Sequence, residues 1–223
     1  SSAGGTNTLA VPVLFAFNSC VKLPVDEGSI LSFDRPVSGL GFKKTGLGTL
    51  RLGAPNTFGL TMLHSAGTLS LGNDASLGVR ALPALRFTGG VLAVSNASEE
   101  AVALQRHVEM DSGNSPVVFD TPTDASIALK PITGPVFKRG EGTLTFELNE
   151  AENVFPSGHK SGATYDGESL LCQFDNNGMV APTTQMTGGV TVAEGRLRIA
   201  AGKNVAAKPN IEFSNAPLVV GTR

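Results

Sequence analysis

The sequence predicts an all-β protein that folds as a β-solenoid, in which short strands stack in successive coils. Three observations lead to this prediction: the composition, the alternation of apolar and polar residues between turns, and an internal repeat. Of the 223 residues, 27 are glycine, about 12%, whereas the average glycine content is about 7%. Charged residues make up only 16%, tryptophan is absent and tyrosine occurs once. Such a chain is rich in turns and poor in residues that favour helices.

Short segments alternate apolar and polar residues, which is the pattern of a strand with one buried face. Examples are GLTMLHSAGTLSL (residues 59–71), RFTGGVLAV (residues 86–94) and GGVTVAEGRLRI (residues 188–199). Clusters such as Gly-Asn-Asp and Asn-Asn-Gly separate these segments and predict turns. We therefore expect many strands of four to seven residues.

The stretch FKKTGLGTL (residues 42–50) returns as FKRGEGTL (residues 137–144). With a single gap, Phe42 matches Phe137, Lys43 matches Lys138, Gly46 matches Gly140, Gly48 matches Gly142, Thr49 matches Thr143 and Leu50 matches Leu144. A sandwich or a barrel also contains many short strands, but a solenoid requires the same inward apolar pattern in every layer. The repeat therefore favours a solenoid, with glycines at its corners. We expect a single domain over residues 1–223, with repeat copies at about 42–94 and 137–199.

Residues 42–94 also resemble a known family, and the resemblance extends more weakly back to about residue 8 and forward through residues 95–147, and returns in residues 188–199. The segments that carry the resemblance are FKKTGLGTL (42–50), LGAPNTFG (52–59), AGTLSLGN (66–73) and LG (77–78). Together they are similar to the autotransporter-associated β-strand repeat, also called the passenger-associated repeat, except that Phe58 and Phe155 stand where that family has tyrosine. The resemblance implies a right-handed parallel β-helix. It also implies a protein that is secreted and displayed at a bacterial surface, as the stalk of an adhesin or of another large exported protein.

A loop insertion at residues 156–187 interrupts the second copy after Asn153-Val154-Phe155. Binding residues tend to lie on loops held by a rigid scaffold, so we expect individual function here. The candidate binding residues are His159, Tyr165, Asp166, Glu168 and Asp175. The alternative is a surface excursion that covers a flank of the coil with Leu170, Leu171 and Phe174.

Other kinds of site find little support. The histidines His64, His107 and His159 lack ligand spacing, and Asp175-Asn176-Asn177-Gly178 reads as a turn, so we expect no metal and no cofactor. With a net charge of −2 and no basic block, the chain has no footprint for nucleic acid. The apolar run from Val11 to Phe17 is too short to span a membrane. Cys20 and Cys172 are expected to be small apolar residues without an intramolecular disulfide.

No catalytic constellation is visible, so we expect a protein that is not an enzyme. The acidic residues are scattered, although Asp111 and Asp120 could lie on neighbouring strands. The alternative is a carbohydrate-active β-helix enzyme, a polysaccharide lyase or hydrolase with its site on the solenoid flank. Paired acids about 5–9.5 Å apart, or a set of Asp, Lys and Arg on adjacent outer coils, would favour the enzyme. A flank lined by Thr, Ser and Asn would favour a scaffold.

The function we expect is structural or adhesive, in a protein that is secreted or at the bacterial cell surface. The chain begins and finishes partway through repeats and shows no evident cap, so it reads as a segment of an autotransporter-type passenger or as a subunit of an extracellular filament. The expected partners are further copies that associate end to end through terminal coils, neighbouring surface proteins, and glycans.

Overall fold

The computed structural model describes residues 4–15, 20–39, 41–58, 62–78, 84–87, 89–94, 102–104, 107–110, 117–129, 136–148, 190–201 and 218–220. These residues form an all-β fold whose strands pair only in parallel. The strands are β1 (Thr6–Leu9), β2 (Val13–Leu14), β3 (Cys20–Pro24), β4 (Ile30–Phe33), β5 (Val37–Ser38), β6 (Gly41–Thr45), β7 (Thr49–Leu52), β8 (Met62–His64), β9 (Thr68–Leu71), β10 (Ala84–Phe87), β11 (Val91–Val94), β12 (Val102–Leu104), β13 (His107–Met110), β14 (Val117–Asp120), β15 (Ser126–Leu129), β16 (Val136–Arg139), β17 (Thr143–Leu148), β18 (Val190–Val192), β19 (Arg196–Ala201) and β20 (Leu218–Val220).

The strands stack into four sheets, and the prediction of a parallel β-solenoid is confirmed. The largest sheet has nine strands in the order β1-β4-β7-β9-β11-β14-β16-β18-β20. A five-stranded sheet has the order β13-β10-β8-β6-β3, a four-stranded sheet has the order β12-β15-β17-β19, and β2 pairs with β5. Neighbours in the largest sheet come from successive coils, as in the register of Thr49 with Thr68 and of Thr68 with Val91.

The alternation seen in the sequence sets which side chains enter the core. In β7, Leu50 and Leu52 are fully buried, whereas Thr49 and Arg51, which alternate with them, are half-buried and exposed, respectively. Leu69 and Leu71 in β9 lie in register with these two leucines, so each layer packs its apolar residues on those of the next. Aliphatic and aromatic side chains fill the interior in this way from Phe33 to Val192.

A buried asparagine links three layers near the first repeat copy. The Asn56 side chain accepts a hydrogen bond from the Val37 backbone N–H at 2.7 Å and donates to the Ser76 carbonyl at 2.6 Å. Beside it, Phe58 packs edge to face on Phe42, with ring centroids 5.1 Å apart. The Asn-Thr-Phe segment of the repeat thus provides one polar bridge between coils and one core aromatic residue.

The structure corrects the alignment of the two repeat copies. Phe42 and Lys44 are fully buried and Lys43 is half-buried, whereas in β16 the buried residues are Val136 and Lys138 and the half-buried one is Phe137. The copies therefore align without a gap, with Lys44 rather than Lys43 equivalent to Lys138. The predicted matches of Phe42 with Phe137 and of Lys43 with Lys138 were wrong, because a slip of one residue in a strand exchanges its two faces.

The copies also occupy different corners of the solenoid. In the first copy the chain passes from β6, in the five-stranded sheet, to β7 in the nine-stranded sheet. In the second copy it passes from β16, in the nine-stranded sheet, to β17 in the four-stranded sheet. What recurs is a corner rather than a coil.

The recurring unit is a set of three stacked corners, which we call a corner module. In each module the corner segments shorten from nine to seven to six residues. The first module comprises residues 23–31, 44–50 and 64–69, and the second comprises residues 119–127, 138–144 and 192–197. Their backbone hydrogen bonds correspond: Gly48 N–H donates to the Val25 carbonyl as Gly142 N–H donates to that of Thr121, each at 2.8 Å. Gly28 and Asp124, at equivalent positions, both have positive φ, 75° and 63°.

The third corner of the second module follows a long connection. From β15 to β16 the chain takes six residues (130–135), but from β17 to β18 it takes 41 residues (149–189). Yet β17 and β19 pair in parallel over six residues, from Thr143 with Arg196 to Leu148 with Ala201. The solenoid therefore resumes in register after the connection that contains the predicted insertion. In the described ranges, no helix has the length and apolar character needed to cross a membrane.

The seven-residue corner of the first module requires a glycine at position 46, and substitution tests this requirement. Gly46 has φ of +76°, and a Cβ there would lie 2.4 Å from the Val25 carbonyl oxygen. We expect Gly46→Ala to lower the free energy of unfolding by about 2 kcal/mol or more, because left-handed backbone strain and a backbone clash add. Urea denaturation measures this loss. The control is Gly5→Ala, where a Cβ would meet nothing within 4 Å, and an equal loss in both variants would contradict the prediction.

Candidate functional site

The chemically unusual groups of the described chain are two lysines buried in the corner modules. Lys44 is fully buried at the last inward position of β6. Its Nζ donates to three carbonyl oxygens: those of Thr45 at 3.2 Å, Gly46 at 2.6 Å and Ala66 at 2.7 Å. Two of these belong to the same corner and the third to the corner of the next layer. We call this oxygen set the first carbonyl cage.

Lys138 repeats the arrangement in the second module. It is also fully buried, and its Nζ donates to the carbonyl oxygens of Arg139 at 2.7 Å, Gly140 at 2.5 Å and Glu194 at 3.3 Å. These residues are equivalent to Thr45, Gly46 and Ala66. This second carbonyl cage therefore has the same composition, two oxygens from its own corner and one from the next, although it lies on a different corner of the solenoid.

The cage follows from how a tight corner interrupts a parallel ladder. Gly48 stays within the ladder: its N–H donates to the Val25 carbonyl and its carbonyl accepts from Thr68 N–H. Gly46, with its positive φ, instead directs its carbonyl oxygen to Lys44 Nζ. A buried carbonyl without a partner costs about 1–3 kcal/mol. Because an ammonium group has three donors, one lysine can donate to the Gly46 and Ala66 carbonyls and also to the Thr45 carbonyl, which already accepts from the Val25 N–H at 3.0 Å.

Burial shifts the titration of both lysines. Burial lowers the pKa of Lys44 from 10.5 to about 8. Burial also lowers the pKa of Lys138 to about 8, although the carboxylates of Asp120 and Glu194 oppose the shift. Since both values lie above 7, the ammonium form prevails at neutral pH, which is the form that can donate to three carbonyls.

A histidine lies directly above the first cage. His64 pairs in register with Lys44 between β8 and β6, and it is fully buried. Burial, with a further contribution from the Lys44 charge, lowers the pKa of His64 from 6.5 to about 3, and the backbone at Gly67 and Val91 opposes this shift. His64 is therefore neutral at physiological pH. At the equivalent position the second module has Val192.

The second module carries charged groups on its outer flank. Arg139 Nε donates to Asp120 Oδ2 at 2.8 Å across adjacent layers, and both side chains are partly exposed. Thr123 Oγ1 donates to Glu141 Oε2 at 2.9 Å, and Gly140 N–H donates to Glu194 Oε2 at 2.9 Å. The Glu194 side chain thus ties the layer after the long connection to the layer before it. Asp120 and Arg139 thus pair on the outer face of adjacent coils, whereas Lys138, which precedes Arg139 in β16, points inward.

The residues predicted from the sequence fall largely outside the described part of the chain. His159, Tyr165, Asp166, Glu168 and Asp175 all lie in the 149–189 connection, as do Cys172 and Phe155, and Asp111 also lies outside the described residues. Of Cys20, only the backbone position at the start of β3 is described. Their predicted roles stay predictions.

Sequence reasoning missed Lys44, His64 and Lys138 as buried polar groups. Metal-ligand spacing does not identify a buried histidine, and the identity of a lysine in a repeat does not show whether its side chain points inward. One signal was present: each of the three is the last inward residue before a corner glycine, in KTG, HSAG and KRG. Among the described residues, no group of three His, Cys, Asp or Glu side chains could hold a metal ion.

Comparison of the chain with protein-family models, with curated proteins and with solved structures finds no match in any of the three.

The position of His64 predicts an acid-sensitive contribution to stability. Its pKa is about 3 in the folded chain and 6.5 when unfolded, so between these values the unfolded state binds more protons. The contribution of His64 to the free energy of unfolding is fully present above pH 6.5. It decreases by about 1.4 kcal/mol per pH unit as the pH falls from 6.5 towards 3. In urea denaturation at several pH values, His64→Val, which copies Val192, should remove this slope. Identical slopes in the wild type and the variant would contradict the prediction.

Proposed function

We propose that this protein is a non-enzymatic structural or adhesive β-solenoid, secreted or exposed at a bacterial cell surface. In this proposal the coils form a stiff scaffold and the 149–189 connection carries the adhesive contacts. The resemblance of residues 42–94 to the autotransporter-associated repeat supports the localisation and a role as a passenger segment or as a filament subunit.

The observation that carries the proposal is the use of the buried cations. Lys44 and Lys138 are the groups whose perturbed pKa values would attract attention in an enzyme. Both ammonium groups are instead surrounded by backbone carbonyls, and each joins two layers. A lysine held in this way is not free to act as a base on a substrate. The two ammonium groups therefore hold neighbouring coils together.

The connection between β17 and β18 supports the assignment of adhesion to the insertion. It exceeds the preceding equivalent connection by 35 residues, whereas the strands on either side pair in unbroken register. The Lys138 and Glu194 contacts close the second module across it. The described strands thus keep their register on both sides of the connection, and in this proposal the connection serves a partner.

Removal of the insertion tests this division of roles. Deletion of residues 156–187 leaves a connection of nine residues, near the six of the preceding layer. We expect the deletion variant to keep its thermal midpoint within about 3 °C, because the second module is retained, and to lose binding on an array of immobilised glycans. The matched control is the double variant Asp120→Asn and Arg139→Gln, which should bind as the wild type does. Retained binding after the deletion would refute the adhesive role of the insertion.

A second candidate function, a polysaccharide lyase or hydrolase, is supported by one observation, the Asp120 and Arg139 pair on the outer face of adjacent coils. Lys138 does not complete an outer Asp, Lys and Arg set, because its side chain points inward. Also against this function, Arg139 is already paired with Asp120, and Lys138 is enclosed in its cage. The same proteins decide the question. Release of reducing ends or unsaturated sugars from a polysaccharide panel by the wild type, abolished in Asp120→Asn, would replace the structural proposal with the enzymatic one.

End-to-end association is the part of the proposal that concerns partners. In the described chain, β1 lies at one edge of the nine-stranded sheet, and all four of its residues are exposed. Leu9, the last residue of β1, is exposed by 39%, and Val11 and Leu14 beyond it are each exposed by 62%. Among the described strands, none pairs with the outer side of β1, and an unpaired strand edge with apolar neighbours is a template for pairing with another chain. The partner we propose for it is a second copy of this protein.

Lysine substitutions test this edge. We expect Leu14→Lys to reduce association of the purified protein in light scattering, because a charge at an edge blocks strand pairing. Leu47→Lys is the matched control, since Leu47 is exposed by 63% at the tip of a corner. The proposal fails if the wild type stays monomeric at all concentrations, or if both variants associate alike.

A further inference from the structure

We propose that the two carbonyl cages are binding sites for a primary ammonium group, and that the lysine side chain acts in each as a tethered ligand. The ligand class is the unbranched primary alkylammonium ion. On this view the corner module is a preformed receptor whose backbone places the oxygens, and the lysine occupies that receptor.

The match of donors to acceptors supports this inference. In both cages three carbonyl oxygens receive one nitrogen, and a primary ammonium has three N–H donors. In both, the oxygens come from the residue after the lysine, from the corner glycine, and from the next layer. Because the set recurs on two different corners, its geometry is a property of the module rather than of one location.

The cage is selective because it is small and has no carboxylate of its own. A Cβ on Gly67 would lie 2.6 Å from Lys44 Nζ, so the wall of the first cage has room for hydrogens on the nitrogen but not for methyl groups. Its acceptors are carbonyl dipoles, which favour a cation and have no donor to offer an anion. The cage also lies directly beneath the surface, since Leu47 at the tip of the same corner is exposed.

The experiment removes the tether and supplies the ligand. Lys44→Ala keeps Cβ and deletes three carbons and the ammonium, which together correspond to n-propylammonium. We expect n-propylammonium chloride to raise the thermal midpoint of Lys44→Ala in a saturable manner, by about 3 °C or more beyond equal sodium chloride. The wild type, whose cage is occupied, should show no such rise. Circular dichroism follows the transition.

Matched ligands and variants separate cage binding from general effects. Propan-1-ol has the same carbon chain without the charge, and tetramethylammonium has the charge without N–H donors, so neither should raise the midpoint of Lys44→Ala. Lys43→Ala alters the neighbouring half-buried position and should not respond to n-propylammonium. Lys138→Ala should respond at lower ligand concentration than Lys44→Ala, because Asp120 and Glu194 lie near the second cage.

If Lys44→Ala does not fold alone, the recovery of folded protein after dilution from urea, with and without n-propylammonium, gives the same information. A response equal to that with sodium chloride, in midpoint or in recovery and in both lysine variants, would overturn the proposal. So would an equal response to tetramethylammonium, because it would show a charge effect without donation to the carbonyls.

Discussion

The structure depends on how backbone carbonyls are satisfied where a coil turns. Along the described strands, backbone N–H and C=O groups form hydrogen bonds with those of the neighbouring layers, so side chains are not needed to satisfy them. At a corner the chain changes direction and the ladder is interrupted. In both corner modules a glycine takes the carbonyl out of the ladder and a lysine ammonium receives it. The apolar core can stack continuously only because these polar groups are satisfied inside it.

This use of lysine explains why a buried charge is tolerated twice. An isolated ammonium in the interior would be costly, but three carbonyl oxygens replace much of its hydration. The two modules then differ in their surroundings. Lys44 lies beneath His64, which is neutral, and near no acid that shifts its pKa, whereas Lys138 has Asp120 and Glu194 nearby. The same set of three carbonyl oxygens therefore holds a lysine both beneath a neutral histidine and beside two carboxylates.

The fold was predictable because the alternation of apolar residues and the internal repeat are both visible in the sequence. Leu50 with Leu52 and Leu69 with Leu71 are buried alternate residues of β7 and β9, as the alternation predicts. The inward lysine was not predictable in the same way. Two lysines, Lys43 and Lys44, follow Phe42, and sequence identity with Phe137-Lys138 favours Lys43, whose side chain is only half-buried. Strand register, counted back from the corner glycine, selects Lys44. The burial of His64 was not predictable either, because a single histidine before a corner has no sequence pattern that distinguishes a buried side chain from an exposed one. The predicted binding residues of the insertion lie outside the described chain, so the sequence remains their only support.

The three corners of a module shorten from nine to seven to six residues, and the unit recurs on another edge of the coil. The backbone contacts of a corner module therefore do not depend on which two sheets the corner joins. In the second module they form between layers that lie on either side of the 149–189 connection. The solenoid can thus repeat a set of corner contacts without repeating a whole coil.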